Sequence, residues 1–270
     1  MTTKANHTDV TPHVGFTFKP RRTMFDRAAE DRMLAVVGVD TALFDGCIDP
    51  AAFIPHAIRE SGLNGISSNG MVNMMQKIVV EAPLKLDEEI EVTGEVIEVT
   101  HTPRGIVWVC DTRYTPVAGG PGVLTRRTAL MTDPNVTADP SQRGTVPRPE
   151  PAVQDPAPLR TITEITMTPE DCVTYCGDTT NLIHTDLAFA QNAGYRAPIV
   201  GGSHGVRYMT AAIWQAFAPQ QIDVDIMFRR PIFWDDTFDV RVAEDGDAWT
   251  ALCTVRDGKV MGDMRINAIG

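Results

Sequence analysis

Residues 171–205 read DCVTYCGDTTNLIHTDLAFAQNAGYRAPIVGGSHG, and this stretch places a carboxylate, an amide and an imidazole on one short polar loop. A helix is predicted to end just before the loop, which leaves Asp178, Asn181 and His184 on the turn that follows. After the loop, Gly202 opens a second predicted helix, whose first N–H groups stabilise negative charge on an oxygen. The pattern predicts an acid/base loop facing an oxyanion-binding helix end, which suits chemistry beside a carbonyl.

Twelve positions of this stretch follow the order of one family motif, namely Gly177, Asp178, Asn181, Ile183, His184, Asp186, Gly194, Tyr195, Pro198, Ile199, Val200 and Gly202. With them the chain resembles the MaoC-like dehydratases, or (R)-specific enoyl-CoA hydratases, which have the hotdog fold. The chain departs from the family loop in two ways. One extra residue separates Asp178 from Asn181, and Leu182 replaces the family's proline.

The resemblance implies a lyase that adds water in a syn sense to a trans-2-enoyl thioester, or removes it from the 3-hydroxyacyl thioester. His184 and Asp178 are the implied catalytic residues, and they share one water. Asn181 orients the loop, and the Gly202 N–H polarises the thioester carbonyl. Ser203, beside that glycine, is predicted to contact the substrate. Because the thioester itself acidifies the α position, we expect neither a cofactor nor a metal site.

Other interpretations stay open from the sequence. A thioesterase of the same fold would direct water at the carbonyl carbon, and a non-catalytic acyl-CoA binding subunit would keep the pocket with a decayed loop. The Gly-Asp…Asn…His order favours hydration. Asp186 fits a helix cap better than a catalytic acid. Cys172 and Cys176 lie one helical turn apart and fit buried helix positions better than a nucleophile or metal pair.

An internal repeat divides the chain. PLKLDEEIEV at residues 83–92 aligns without gaps with PIFWDDTFDV at residues 231–240. Between the two, residues 134–158 are rich in proline and lack apolar periodicity, which is typical of an extended linker. We therefore predict an N-terminal hotdog-like half at residues 1–133 and a C-terminal MaoC-like half at residues 159–270.

Alternating strand patterns and few helices predict an α+β double hotdog, in which an antiparallel sheet wraps around a central helix in each half. The second central helix is predicted near residues 203–217. Its apolar stripe comprises Val206, Met209, Ala212, Ile213 and Phe217. Residues 31–47 keep Gly38 and Asp40 but contain no histidine, so the N-terminal half is predicted to be non-catalytic. Residues 40–75 are interpreted as an insertion that makes room for a bulky acyl chain.

The formal net charge of −11 argues against broad nucleic-acid binding and against attachment to an anionic membrane. The phosphates of coenzyme A, or of an acyl carrier protein, therefore need a local basic patch. The candidates for it are Arg196, Arg207, Arg229 and Arg230. The five cysteines show no CxxC spacing, residues 1–20 lack the apolar core that a secretory signal needs, and no run of ~20 residues is apolar. We expect a cytoplasmic homodimer that acts on an acyl thioester.

Overall fold

The structure is a computed structural model, and it describes residues 10–68, 70–132, 149–177, 179 and 181–270. Over these residues the chain forms ten strands and five α-helices. The N-terminal half contributes β1 (Arg21–Thr23), α1 (Arg27–Val36), α2 (Phe53–Leu63), β2 (Met71–Val80), β3 (Ile90–Thr102), β4 (Gly105–Pro116) and β5 (Val123–Thr132). The C-terminal half contributes β6 (Arg160–Thr166), α3 (Pro169–Cys176), α4 (Leu187–Asn192), α5 (Gly202–Phe217), β7 (Ile222–Phe228), β8 (Thr237–Asp245), β9 (Ala248–Arg256) and β10 (Lys259–Ile269).

All ten strands join in one antiparallel sheet, in the order β1-β3-β4-β5-β2-β7-β10-β9-β8-β6. The halves meet where β2 pairs with β7, with Lys77 opposite Asp225 and Val80 opposite Ile222. Read outward from this junction, each half runs through its second, fifth, fourth, third and first strand. The halves are thus topological repeats, and their junction pairs the edge strand that either half would expose alone.

The two stretches that align in sequence occupy equivalent places in this sheet. Each leads into the third strand of its half, and the aligned Ile90 and Phe238 are both buried. On β3, Ile90, Val92 and Val96 face the core while Glu91 and Glu95 are exposed, as the alternation predicts. The predicted α+β double hotdog is confirmed, because α2 and α5 lie in one continuous core with strands of both halves.

The interpretation of residues 40–75 as an insertion is wrong. This stretch contains α2, the counterpart of α5, and the connection from α1 to α2 is shorter than that from α3 to α5. The two central helices share no sequence motif, so their equivalence shows only in the topology.

Helix α5 is more deeply enclosed than an amphipathic stripe requires. Residues 203–214 are all buried, including the polar His204 and Arg207. Phe217 was wrongly placed in the buried stripe: it is 39% exposed, and its ring packs edge-on against Trp249 at the end of the helix.

The predicted linker lies partly outside the described residues. Where the chain is described again, Val153 is buried against the C-terminal sheet beside Val255 and Val260. This end of the linker is therefore packed. The boundaries of the two halves remain a prediction. Among the described residues, no helix has the length and apolar content needed to cross a bilayer.

Candidate active site

The polar loop begins where α3 ends. Thr168 caps the start of this helix by accepting a hydrogen bond from the Asp171 N–H, and Gly177 ends it with a φ of 53°. The positive φ at Gly177 turns the chain away from the helix axis, and glycine adopts it without the steric strain that a Cβ would cause. Asp178 lies outside the described residues, so its place beside His184 remains a prediction.

His184 is held in one tautomer by the backbone. Its Nδ1 lies 2.8 Å from the carbonyl oxygen of Ile199, and because a carbonyl only accepts, Nδ1 carries the proton. Its Nε2 lies 3.4 Å from the Asn181 side-chain nitrogen and so presents a lone pair. Burial lowers the pKa of His184, and the hydrogen bond to Ile199 opposes that effect. The half-buried imidazole is therefore neutral near pH 7 and able to accept a proton.

The same segment that holds His184 leads into α5. Ile199 donates its own N–H to the carbonyl of Ile183 at 3.1 Å, and three residues later Gly202 opens the helix. The first N–H groups of an α-helix have no acceptor within it. A Cβ at Gly202 would lie 2.7 Å from Cε1 of Phe228, so a larger residue there would force the Phe228 ring to move. The imidazole and the helix N-terminus thus belong to one hydrogen-bonded unit.

Beneath this unit lies a buried ionic cluster that the sequence did not reveal. Nη1 of Arg207 lies 2.6 Å from Glu30 and 2.8 Å from Asp49, and its Nε donates to the Tyr175 hydroxyl at 2.9 Å. Thr210 donates a further hydrogen bond to Asp49 at 2.8 Å. Arg207 and Thr210 lie on α5, whereas Glu30 and Asp49 belong to the N-terminal half. The cluster therefore joins the halves under the candidate site.

Two carboxylates share one guanidinium in this cluster. Burial raises the pKa of Asp49 to about 6, and Arg207 opposes that shift. Burial alone would lower the pKa of Arg207, but the phenol and the two carboxylates outweigh it and raise that pKa well above its ordinary value. Arg207 therefore keeps its charge, and its guanidinium is bonded to groups inside the protein. Its prediction as a phosphate ligand is wrong.

The other predicted phosphate ligands differ in their availability. Arg196 pairs with Asp235 at 2.8 Å and with Asp236, and Arg229 pairs with Asp263 at 3.2 Å. Arg230 is exposed and donates to the carbonyl of Val260 at 2.6 Å. Among the described residues no carboxylate partner of Arg230 is recorded, which leaves it the freest of the four.

The first turn of α5 carries two more polar side chains. Ser203 is buried and accepts a hydrogen bond from the Tyr175 hydroxyl at 3.1 Å. The ring of His204 stacks on Tyr175 at 4.2 Å between centroids and also lies against Tyr208. Burial, followed by the charge of Arg207, lowers the pKa of His204 to about 4. His204 is thus a neutral packing residue.

The structure also bears on the interpretations of Asp186 and of the two cysteines of α3. Asp186 accepts a hydrogen bond from the Phe189 N–H at 2.7 Å, so it caps α4 as predicted. Burial raises the pKa of Cys172 to about 12 and that of Cys176 to about 11. Because the thiolate is the reactive form, neither cysteine is a nucleophile at neutral pH.

The family description "MaoC like domain" matches residues 154–261. HtdX from Mycobacterium tuberculosis is 18% identical with a TM-score of 0.72, covering 94% of this chain and 99% of that chain. A MaoC-like dehydratase from Phytophthora capsici is 15% identical with a TM-score of 0.68, covering 94% and 96%. An acyl-ACP thioesterase from Bacteroides thetaiotaomicron is 11% identical with a TM-score of 0.59, covering 92% and 96%. A comparison with curated protein sequences finds no match. The structural likenesses establish the double-hotdog fold, and residues 154–261 of this chain match the MaoC-like domain family.

Proposed function

We propose that this protein hydrates an enoyl thioester, or dehydrates the corresponding 3-hydroxyacyl thioester, at one site in its C-terminal half. The observation that carries the proposal is the orientation of the His184 imidazole. Its proton is fixed on Nδ1 by Ile199, and its free Nε2 belongs to the unit that opens α5 at Gly202. A base and an oxyanion-binding helix end are the two groups that addition of water beside a carbonyl needs.

In the hydration direction, Nε2 of His184 removes one proton from the water as the oxygen bonds to the β carbon. The α carbon then takes a proton from the carboxyl group of Asp178. Transfer of the first proton from the imidazolium to the Asp178 carboxylate restores both groups, so the net addition is one water. Asn181 holds the ring by its contact with Nε2 until the water displaces it.

The negative charge that develops during addition lies on the thioester oxygen. The Gly202 N–H is proposed to donate to that oxygen, and loss of a single oxyanion donor typically costs ~10²–10³ in rate. The thioester itself acidifies the α position, so the residues of the chain need only place the water and stabilise the enolate-like charge.

The carrier is proposed to be coenzyme A or an acyl carrier protein, with exposed Arg230, the freest of the candidates, as a phosphate ligand. The N-terminal half keeps the turn at Gly38 and Asp40 without a histidine, and we propose that it supports the site without catalysing. Glu30 and Asp49 of the N-terminal half bind Arg207 of α5, which is consistent with that supporting role. The homodimer and the cytoplasmic location remain predictions.

The test offers crotonyl-CoA, longer enoyl-CoAs and branched enoyl-CoAs to the wild-type protein. The absorbance of the conjugated enoyl group and the release of free thiol are followed in parallel. Hydration removes the absorbance without releasing thiol. Thiol release would instead support a thioesterase, a reaction named for one protein of the same fold. Binding of acyl-CoA without either change would support a non-catalytic binding subunit and contradict the proposal.

A further inference from the structure

A directed chain of hydrogen bonds ends at the first turn of α5. It runs from Arg207 to the hydroxyl of Tyr175 at 2.9 Å, and from that hydroxyl to Oγ of Ser203 at 3.1 Å. Ser203 is only 7% exposed and is the second residue of α5, next to Gly202.

The direction of this chain follows from the chemistry of its members. A guanidinium only donates, so the Tyr175 oxygen accepts from Arg207. The single phenolic proton then goes to Oγ of Ser203, which lies 3.1 Å away. Ser203 is left with its own proton to donate, and none of the described residues accepts that proton. A buried hydroxyl proton without an acceptor costs free energy unless a ligand supplies one.

The position of Ser203 indicates where that acceptor is. Tyr175 lies on the last turn of α3, immediately before the loop that carries Asp178, Asn181 and His184. The Ser203 side chain contacts this turn, so it stands between the N-terminus of α5 and the start of the loop. That is the space in which the proposed function places the thioester group.

We propose that the Ser203 hydroxyl is a second oxyanion donor, which binds the thioester carbonyl oxygen together with the Gly202 N–H. This inference rests on the proposed function and adds a side-chain donor to its backbone donor. Tyr175 and Arg207 are positioning residues, because they fix the direction of the serine proton without touching substrate. The charge of Arg207 polarises the chain and strengthens the final donor. Glu30 and Asp49 hold that charge in place from the N-terminal half.

The test compares Ser203→Ala and Tyr175→Phe with two matched controls. Ser61→Ala removes a buried hydroxyl from α2, the counterpart helix, where Ser61 donates to the carbonyl of Ala57. Tyr208→Phe removes a buried phenol from α5 that lies outside the chain and contacts His204 and Met167. Thermal unfolding of all four variants establishes that they fold.

We expect Ser203→Ala to lower kcat for enoyl-CoA hydration about 10²-fold, as for a single oxyanion donor, and to raise KM by no more than about fivefold, the value of one hydrogen bond in the ground state. Tyr175→Phe frees the serine proton to rotate and should lower kcat about tenfold. Both controls should retain wild-type kcat. If Ser203→Ala does not fold, Tyr175→Phe carries the test, because phenylalanine keeps the ring that stacks on His204.

A binding measurement separates a carbonyl donor from a structural role. The dissociation constants of a saturated acyl-CoA thioester and of the alkyl-CoA thioether of equal length are measured for each variant. Ser203→Ala should weaken the thioester about fivefold, the usual value of one hydrogen bond, and leave the thioether unchanged.

Two results for Ser203→Ala would overturn the inference: equal weakening of both ligands, or a kcat no lower than that of the controls. In either case, hydration by the wild-type protein would still support the proposed function. If the wild-type protein neither hydrates enoyl-CoA nor binds the thioester, both fall. If it binds the thioester without hydrating it, a loss in Ser203→Ala confined to the thioester still supports the donor, and an equal loss sinks it.

Discussion

Replacing Arg207 with methionine tests the buried cluster that joins the two halves. The guanidinium side chain is 2% exposed, and the carboxylates of Asp49 and Glu30 that flank it are 0% and 7% exposed. Methionine fills a similar volume, so the cavity that it leaves contributes little. The substitution removes the cation from two buried carboxylates and leaves Tyr175 without its donor.

Breaking a buried ion pair by removing one partner typically costs about 3–5 kcal/mol, because the remaining charge is buried and uncompensated. For a chain of 270 residues, about 4 kcal/mol corresponds to a Tm lower by roughly 7 °C. The loss should depend on pH with a defined sign. Without Arg207 the charge that opposes the shift is lost, and the pKa of Asp49 in the folded protein rises further above its unfolded value, so stability falls as pH rises through that interval. The loss of stability relative to the wild type should therefore be smaller at pH 5 than at pH 8.

Urea denaturation followed by tryptophan fluorescence at pH 5, 6.5 and 8 measures this loss. Arg22→Met is the control, since Arg22 and Glu89 form a pair whose side chains are 59% and 62% exposed, and such pairs contribute about 0–1 kcal/mol. A loss for Arg207→Met no larger than that of the control, or one that does not shrink at pH 5, would refute the reasoning.

Three further predictions concern Asp49, Gly202 and His184. Asp49→Asn should cost less than half as much stability as Arg207→Met at pH 7, because it leaves one guanidinium facing one carboxylate; urea denaturation measures both. In the wild-type protein, ionisation of Asp49 should lower the free energy of unfolding by about 3 kcal/mol between pH 4 and 6, since the pKa of Asp49 is raised to about 6. Asp49→Asn should abolish this pH dependence. Gly202→Ala should lower hydration at least about tenfold, since its Cβ would clash with Phe228, whereas Gly205→Ala, whose Cβ would meet only Ile232 at 3.8 Å, should stay active. The acid limb of hydration kcat/KM should lie below the ordinary histidine pKa of about 6.5, because burial lowers the pKa of His184 and the neutral ring is the base.

Each of these has a contrary outcome. An Asp49→Asn variant as unstable as Arg207→Met would mean that both carboxylates are ionised and fully compensated. Equal activity of the two glycine variants would remove the requirement for a bare helix N-terminus. An acid limb that begins above the ordinary histidine pKa would assign the base to another group.

The secondary structure was predictable because its signals are local. Alternation along β3 marked Ile90 and Val92 as core residues, and Gly177 marked the end of α3. The order of the loop residues indicated a MaoC-like domain, and the repeat indicated two halves. These signals lie within short windows and survive in a single sequence.

The ionic cluster was not predictable, because its partners are remote along the chain. Arg207 meets Glu30 across 177 residues and Asp49 across 158 residues. An arginine in an apolar helix was a visible signal of a buried partner, but one sequence does not identify that partner. Arg207 was therefore assigned to phosphate binding, whereas its charge is paired with Glu30 and Asp49 inside the protein.

The central claim is that His184 supplies the base for hydration. Initial rates of crotonyl-CoA hydration are measured side by side for wild type, His184→Ala and His101→Ala, in which an exposed histidine on β3 is removed as a control. We predict that His184→Ala loses at least about 10²-fold in kcat, as for a positioned general base, while His101→Ala keeps the wild-type rate. A His184→Ala protein as active as the wild type would contradict the assignment of the site.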